Sequence, residues 1–437
     1  MAQRILVKNG LLVTMNNRHD IMRADIMIEG RLIKKIESSI SESVDEVFDA
    51  SGYIILPGFI QTHVHLCQTL FRNLADDLSL LEWLEKKIWP FEGNHTPETL
   101  RFSARLGLAE LVKSGTTTIM DMGTVNHQEI VFEELAASGI RAFAGKTMMD
   151  FGKLPASLKE TTKSSIDTSI ALLKKWHNYD MGRLRYAVAP RFALSCSDEL
   201  LRESGKLARE YGTLLHTHAS ENRSEVELIR KRFGVNNIML FEKLGLADSN
   251  LCLAHCIWSD EDERTLLKEK NIKVLHCPSA NLKLGSGIAP IPDYLQRGIT
   301  VSLGADGAPC NNNMSAFNEM RLAALIQKPL HGPQSMPAKQ IVHMATTGGA
   351  SALGIQNETG SLEEKKLADM IFIKDSQVHS IPYENIFSKL VYSANSSDVH
   401  HVMVNGRWLL RERRLLFIDE EQLVRDVQDT IPKILNT

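Results

Sequence analysis

The chain has 437 residues, 43% hydrophobic and 24% charged, with a formal net charge of −3 at neutral pH. This balance is typical of a folded globular protein and excludes the strongly basic surface of a nucleic-acid-binding protein, and no apolar run approaches the roughly 18 residues of a membrane helix. The six cysteines are scattered without a CxxC pair and the opening residues lack a signal-peptide core, so we expect a cytoplasmic protein with neither nucleic-acid nor membrane partners.

The first part of the chain has the pattern of short β-strands. Residues 5–7 and 11–15 predict two strands separated by Asn9-Gly10. Residues 24–28 and 32–36 alternate in the manner of a β-hairpin. We therefore expect an all-β segment before the central part of the chain.

Residues 56–365 alternate between strand and helix patterns. After a first strand that ends near residue 65, further strands are predicted at residues 116–122, 141–149, 184–192, 214–220, 251–257, 273–277 and 300–305. Helices are predicted between them, among others at residues 98–113, 198–211, 223–233 and 260–268. Eight such steps close a (β/α)8 TIM-like barrel, whereas the alternative, an open doubly wound sheet, lacks its GxGxxG fingerprint. We therefore predict an α/β fold with this barrel.

The β pattern returns near the C-terminus. Residues 401–404 and 408–410 flank Asn405-Gly406, the strongest short hairpin signal in the chain. Because both chain ends share this texture, we predict that residues 1–55 and 366–437 pair into one small β-sandwich domain beside the barrel.

The apolar first strand of the predicted barrel ends in His63 and His65. A spacing of two residues places both imidazoles on the same face of a strand, with Cα atoms about 6.6 Å apart, so that both can reach one metal ion. The alternative is a strand with two incidental histidines that face solvent. This motif alone does not decide between them.

Four later strand ends also carry histidine or aspartate. These residues are His216 and His218 on the fifth strand, His255 on the sixth, His276 on the seventh and Asp306 on the eighth. In a barrel all strand ends of one kind face one mouth, where catalytic residues lie. Such a concentration of ligand-type residues is improbable as coincidence and favours a functional site.

His63, His65, His218 and Asp306 would form a nitrogen-rich metal site with one carboxylate and an open position for water. The ligands suit one divalent ion, zinc or iron, which can lower the pKa of water to about 7. Glu221 lies three residues after His218 and could shuttle a proton.

Other roles remain open for several of these residues. His255 could orient the attacking oxygen. The alternative for Glu221 is a helix N-terminal carboxylate, and His216 and His276 are packing or supporting residues in the alternative interpretation.

The motifs PGFIQTHVH, HTHASE, LAHC, HCPSANLKLGSGIAP and LGADGAPCNNN resemble the amidohydrolase superfamily, in the branch of nucleoside, guanine and s-triazine hydrolases. The resemblance covers nearly the whole chain. It implies a mononuclear metal, usually zinc, bound by the residues that match His63, His65, His218 and Asp306. The lysine that bridges two metals elsewhere in the superfamily is absent from the fourth strand end, so we expect one metal ion.

Substrate contacts follow from a second resemblance. The segments LSLLEWL and WPFE are similar to deaminases of 5′-substituted adenosines, in which the position matching Trp83 covers the base and that matching Glu92 binds the ribose hydroxyls. Gln68, Arg191 and Phe192 resemble guanine deaminases instead. Gln68 and Arg191 could read a purine carbonyl, or equally a sugar or a 5′ substituent, and the alternative for Arg191 is an ion pair at the barrel rim.

The resemblance implies a hydrolytic deaminase that converts the 6-amino group of an adenosine-type nucleoside (5′-deoxyadenosine, methylthioadenosine, S-adenosylhomocysteine or adenosine) to the inosine-type product and ammonia. Glu221 would protonate N1, Asp306 would accept the water proton and His255 would steady the new oxygen. The alternatives are a deaminase of guanine or another aminopurine base, an s-triazine hydrolase, and a catalytically silent binding protein on the same fold. A homo-oligomer is an open option.

Overall fold

Nine strands from the two ends of the chain form one sheet in the computed structural model, which describes residues 2–435. Residues 1, 436 and 437, which belong to the predicted β domain, lie outside the described part. Eight strands follow one another across the sheet in the order Arg414–Leu415, Arg407–Arg411, Val399–Val404, Met370–Lys374, Tyr53–Pro57, Arg4–Val13, Ile21–Glu29 and Leu32–Glu37. The ninth, Glu46–Asp49, pairs in parallel with Arg4–Val13.

The first strand differs from the prediction. Residues 5–7 and 11–15 do not form two strands; one strand, Arg4–Val13, runs through Asn9-Gly10. Its pairing with the next strand shifts register between Val7 and Gly10, because a bulge absorbs the turn-prone pair without breaking the strand.

The two predicted hairpins are present. Ile21–Glu29 pairs antiparallel with Leu32–Glu37, and Val399–Val404 with Arg407–Arg411. In the second hairpin the turn residues Asn405 and Gly406 both have positive φ, 51° and 71°, which suits a tight turn that matches the twist of the strands.

The two chain ends meet where Tyr53–Pro57 pairs antiparallel with Met370–Lys374. Side chains on this sheet form a hydrophobic cluster of their own, to which Val7, Ile26 and Phe372 belong. The predicted sandwich arrangement and its boundaries at residues 55 and 366 stay predictions.

The middle of the chain folds into parallel sheets with helices between the strands, an α/β architecture. One sheet has the strand order Leu184–Tyr186, Arg141–Ala144, Thr116–Asp121, Phe59–His65 and Asp306–Gly307. A second has the order Leu215–Ala219, Leu251–His255, Lys273–His276 and Val301–Leu303. The short strands Thr147–Met148 and Ala189–Pro190 pair with each other.

Two predicted strands are interrupted. Residues 141–149 and 184–192 each form two short strands rather than one. At the break, the backbone N–H of Lys146 donates to the hydroxyl of Tyr186 at 3.1 Å. The chain leaves the regular ladder here because a side chain has taken the place of a backbone partner.

The predicted helices are present within one or two residues. They are Pro97–Lys113, Asp198–Glu210, Arg223–Phe233 and Glu261–Glu269. All four begin after capping residues, Thr96, Ser197, Asn222 and Asp260, whose side chains accept backbone N–H groups of the first turn.

Helices also cover most of the remaining connections. Further α-helices are Leu80–Trp83, Trp89–Gly93, Gln128–Ser138, Thr162–Trp176, Asn237–Lys243, Pro278–Lys283, Ile291–Gln296, Ala308–Asn311, Ala316–Ile326, Lys328–His331, Ala338–Ala345, Thr347–Ala352, Ile386–Ser388 and Glu420–Leu435. Leu84–Ile88 and Lys389–Ser393 are π-type turns, and Leu66–Phe71, Ala156–Leu158, Val378–Ser380 and Ser396–Asp398 are 3-10 turns. None of the described helices is long and apolar enough to cross a membrane.

Candidate metal centre and substrate cavity

Three histidines and one aspartate meet at the ends of the parallel strands. His63 Nε2 lies 3.5 Å and His65 Nε2 3.4 Å from Asp306 Oδ1, and His65 Nε2 lies 3.3 Å from His218 Nε2. The strand register brings them together, because Asp306 pairs with Val64, the residue between the two histidines. All four side chains are buried or nearly so.

The far side of two of these rings is held by neighbours. His63 Nδ1 lies 2.7 Å from His216 Nε2, and His218 Nδ1 donates to the carbonyl oxygen of Arg191 at 2.6 Å. Among the residues that the structure describes, His63 Nε2 is buried without a hydrogen-bond partner, and Asp306 Oδ1 lies 3.5 Å from it. The Nε2 atoms of His65 and His218 thus face each other at 3.3 Å, with His63 Nε2 beside them. A cation bound between these three nitrogens would give each of them a partner.

The protonation states of these groups suit metal binding. Burial lowers the pKa of His63, and it lowers the pKa values of His65 and His218 well below the usual range. Burial opposes ionisation of Asp306, but its contacts with His63 and the surrounding histidines hold its pKa well below the usual range. Neutral imidazoles and an ionised carboxylate are the forms that ligate zinc or iron.

The ligand-type atoms form two overlapping groups within 4.8 Å. The first is His63, His65 and His218, and the second is His63, His255 and Asp306. His255 is therefore close enough to compete as a ligand. Its Nε2 atom, however, also lies 3.5 Å from Glu221 Oε2, which places His255 between the metal centre and that carboxyl group.

Glu221 and His255 are buried beside the cluster and supported from behind. The backbone N–H of Glu221 donates to Glu225 Oε2 at 2.7 Å, and His255 Nδ1 donates to Asn281 Oδ1 at 2.8 Å. Burial, and then the charge of Asp306, raise the pKa of Glu221 well above the usual range. A buried carboxyl group that retains its proton is suited to donate it to a bound ligand.

Two of these strand ends have unusual backbone geometry. His255 and Asp306 have φ values of 72° and 62°, a left-handed conformation that is uncommon outside glycine. Such strain is concentrated at functional sites, where the surrounding structure enforces it. His255 is the last residue of its strand, and Asp306 is the first residue of the short strand Asp306–Gly307.

A cavity adjoins the cluster and is lined by six of the seven residues predicted from the sequence to contact substrate, a set that includes Glu221 and His255. Gln68, Trp83, Arg191 and Phe192 line it together with Glu221 and His255. Trp83 belongs to a helical segment, Leu80–Gly93, that includes a π-type turn. π-type turns are frequent at functional sites.

Glu92 does not line this cavity. Its side chain is 2% exposed, and its carboxylate accepts from Arg191 Nη1 at 2.5 Å and from Gln68 Nε2 at 2.8 Å. The structure therefore places Glu92 behind two residues of the cavity wall. Arg191 forms an ion pair, which was the alternative interpretation of this residue in the sequence.

His216 and His276, whose roles the sequence left open, have different surroundings in the structure. His216 contacts His63, whereas both ring nitrogens of the buried His276 lack hydrogen-bond partners among the described residues. Burial lowers the pKa of His276 to about 3. His216 thus supports a cluster residue, and His276 packs as a neutral side chain.

Sequence reasoning missed three supporting residues. Asp121 ends a parallel strand and accepts the backbone N–H of Leu66 at 2.8 Å, which fixes the chain directly after His65. Burial raises the pKa of Asp121 to about 7. The position of Asp121 at a strand end could have identified it from the sequence. Asn281 and Glu225 lie inside helices, and no residue spacing distinguishes them from their neighbours.

Comparison with known proteins follows from this geometry. The sequence model described as the amidohydrolase family matches residues 54–409. The chain is 35% identical over 433 residues to the 5′-deoxyadenosine deaminase of Methanosarcina mazei, covering 99% of this chain and 98% of that protein. It is 37% identical over 413 residues to the 5-methylthioadenosine/S-adenosylhomocysteine deaminase of Thermococcus onnurineus, covering 94% and 95%.

Solved structures agree. An adenosine deaminase from Xanthomonas campestris with bound zinc has a TM-score of 0.94 at 26% identity, covering 99% of each chain. A triazine hydrolase from Arthrobacter aurescens has a TM-score of 0.93 at 27% identity, covering 98% of this chain and 100% of that one. A guanine deaminase from Clostridium acetobutylicum with bound guanine has a TM-score of 0.84 at 27% identity, covering 93% and 100%. The chain belongs to the amidohydrolase family.

Proposed function

We propose that the protein is a metal-dependent hydrolytic deaminase that converts the 6-amino group of an adenosine-type nucleoside to the inosine-type product and ammonia. The observation that carries this proposal is the convergence of three buried histidines and Asp306 beside Glu221, in the wall of a cavity that also contains Trp83. The named activities of the two relatives above support 5′-deoxyadenosine, methylthioadenosine or S-adenosylhomocysteine as substrate.

His63, His65, His218 and Asp306 would hold one divalent ion, which we propose is zinc, with iron as the alternative. Bound there, the ion would acidify a water molecule and so supply a nucleophile at neutral pH. The bound zinc of the Xanthomonas structure supports this choice of metal.

The remaining chemistry belongs to the side chains. As the water oxygen bonds to C6, Glu221 gives its proton to N1 and Asp306 takes the proton that the water loses. His255, whose Nδ1–H donates to Asn281, accepts a hydrogen bond through Nε2 from the hydroxyl formed at C6 and so orients the new oxygen. Asp306 then passes the water-derived proton to N6 and the C6–N6 bond breaks to release ammonia, while the hydroxyl proton at C6 returns to Glu221 as the C6 carbonyl forms.

Gln68, Trp83, Arg191 and Phe192 would bind the base. Trp83 and Phe192 offer aromatic faces to the purine ring, and the amide of Gln68 and the guanidinium of Arg191 offer polar contacts along its edge. Leu80, Leu84 and Leu284 add apolar side chains to the cavity wall, and these would exclude bulk water.

The experiment is ammonia release from a panel of adenosine, 5′-deoxyadenosine, methylthioadenosine, S-adenosylhomocysteine, guanine and an amino-s-triazine by zinc-loaded protein. The proposal expects turnover of at least one adenosine-type nucleoside in preference to guanine. Absence of ammonia from every member would remove the enzyme interpretation and leave the catalytically silent binding protein.

Guanine is the second candidate substrate. The observation that favours it is the pair of polar residues on the cavity wall, because Gln68 Oε1 is a buried acceptor without a partner and Arg191 is a donor. A carbonyl next to an N–H group on an oxopurine complements such a pair. Preferential ammonia release from guanine in the same panel would select this candidate, and release from s-triazines would select the triazine alternative.

We also propose that the parallel sheets close into one eight-stranded barrel with a β-sandwich domain beside it. Parallel bridges join Val188 to Leu215 and Phe192 to His218 on one side, and on the other side Thr62 Oγ1 donates to the carbonyl oxygen of Leu303 at 3.2 Å, so the two main sheets meet at both edges. Six free buried cysteines support a reducing, cytoplasmic location. Homo-oligomer formation is a further proposal that the mass in solution would test.

A further inference from the structure

The wall of the substrate cavity is supported by a buried ion pair that the proposed chemistry does not use. Arg191 Nη1 and Nη2 donate to Glu92 Oε2 and Oε1 at 2.5 and 3.2 Å, a bidentate pair with side chains 5% and 2% exposed. Gln68 Nε2 donates to the same carboxylate at 2.8 Å. Glu92 is thus the common acceptor of both polar residues of the wall.

The hydrogen bonds to Glu92 determine what each residue offers to a ligand. With its NH2 group turned toward Glu92, Gln68 keeps Oε1 as a buried acceptor without a partner. A guanidinium has five N–H donors, and the pair with Glu92 uses only part of them. The wall therefore offers one acceptor and spare donors in fixed directions.

The position of Gln68 is also set from the opposite side. A Cβ atom at Gly307 would lie 2.0 Å from Gln68 Oε1, so only glycine allows the amide to come this close to the residue after Asp306. Gly307 and Glu92 together leave the amide one orientation.

The same arginine is linked to the metal centre. The carbonyl oxygen of Arg191 accepts from both the backbone N–H and the Nδ1–H of His218, at 3.1 and 2.6 Å. Displacement of Arg191 would therefore move a predicted metal ligand as well as the substrate contact. A residue that holds Arg191 in place acts on both.

We propose that Glu92 is a positioning residue that orients Gln68 and Arg191 for the substrate and does not bind ribose hydroxyls itself. The proposal rests on the proposed deaminase function for its kinetic test. It differs from the role that the resemblance implies for this position, because here the carboxylate lies behind the cavity wall and is neutralised by Arg191.

The first test measures the pairing without any activity. Thermal unfolding of the wild type, Glu92→Gln, Arg191→Met and the double variant forms a double-mutant cycle. Because each single change leaves a buried charge without its partner, the double variant should lose less in Tm than the sum of the two single losses. Additive losses would overturn the proposal, and this test holds even if the protein deaminates none of the panel.

The second test separates positioning from a direct ribose contact. Glu92→Gln should raise KM, with kcat/KM falling about 10-fold to 100-fold, as is typical when the support of a substrate or metal contact is removed. The fall should be equal, within about 2-fold, for adenosine and for 2′,3′-dideoxyadenosine, because the ribose hydroxyls do not meet Glu92.

The control variant is Glu82→Gln in the same helical segment, where Glu82 is exposed and pairs with Lys86. It should leave KM and kcat unchanged. A fall in kcat/KM for Glu92→Gln that is large with adenosine and vanishes with the dideoxy substrate would show a direct contact and overturn the proposal. If the wild type releases ammonia from no nucleoside of the panel, the proposed function fails instead, and the unfolding cycle alone decides the role of Glu92.

Discussion

The two sides of the cavity differ in how their polar groups are satisfied. On the metal side, His63 Nε2 has no partner and the Nε2 atoms of His65 and His218 face each other at 3.3 Å. On the base side, Glu92 accepts from both Gln68 and Arg191. A bound cation would complete the first side, whereas the hydrogen bonds of the second side are supplied by the chain itself.

This difference separates two kinds of contribution. The metal side depends on an ion and should control the chemical step and metal content. The base side is preorganised by its own ion pair, which lowers the free-energy cost of ordering these groups on binding. It should therefore control substrate affinity. Changes on one side should therefore leave metal content or substrate affinity on the other side largely intact, except at Arg191, whose carbonyl oxygen holds His218.

The largest effect is expected from loss of a metal ligand. His218→Asn should remove bound metal and lower activity by more than the roughly 100-fold that is typical for supporting residues. It should also abolish the drop in Tm that a chelator produces in the wild type, because a bound ion stabilises the folded state. Metal analysis, turnover and thermal unfolding check this.

Its matched control is the exposed His331. His331→Asn should retain one metal ion per chain and wild-type turnover. Full metal content in His218→Asn would break the comparison, because His218 would then not belong to the metal side.

The next largest effect is expected at Glu221. Glu221→Gln should lower kcat about 100-fold to 10,000-fold, the usual contribution of a general acid or base, with metal content unchanged. Glu227→Gln changes an exposed glutamate of the following helix and should have no effect. Near-normal turnover of Glu221→Gln would exclude Glu221 from the mechanism.

A smaller effect is expected behind His255. Asn281→Ala removes the acceptor of the His255 Nδ1–H and should lower kcat about 10-fold to 100-fold without a comparable change in KM. Steady-state kinetics with the best nucleoside of the panel measures it. An increase in KM alone would assign Asn281 to the base side and contradict the proposed division between the metal side and the base side.

The smallest effect is expected on the base side. Trp83→Phe keeps an aromatic face over the substrate but removes part of its area, so KM should rise about 2-fold to 10-fold while kcat and metal content stay unchanged. Loss of metal in this variant would show that the two sides are coupled through the helical segment Leu80–Gly93.

Much of the site could be predicted because its residues lie in short local patterns. His63 and His65 share a strand face by their spacing, and His218 and Asp306 follow apolar strands whose ends meet in an α/β fold. Strand alternation and strand ends are properties of neighbouring residues, which a single sequence displays directly.

The base side could not be predicted in the same way. Glu92 and Arg191 are separated by 99 residues, and no local pattern indicates that their side chains meet. The resemblance placed Glu92 at the ribose, whereas its neutralisation depends on tertiary packing. The left-handed backbone at His255 and the interruption at Lys146 also arise from contacts distant in sequence.

Anomalous diffraction from crystals of the zinc-loaded protein is the most direct test of the metal centre. One peak per chain is predicted, about 2.0–2.2 Å from ligand atoms of His63, His65, His218 and Asp306. Two peaks, or one peak ligated by His255 in place of His65 and His218, would contradict the account.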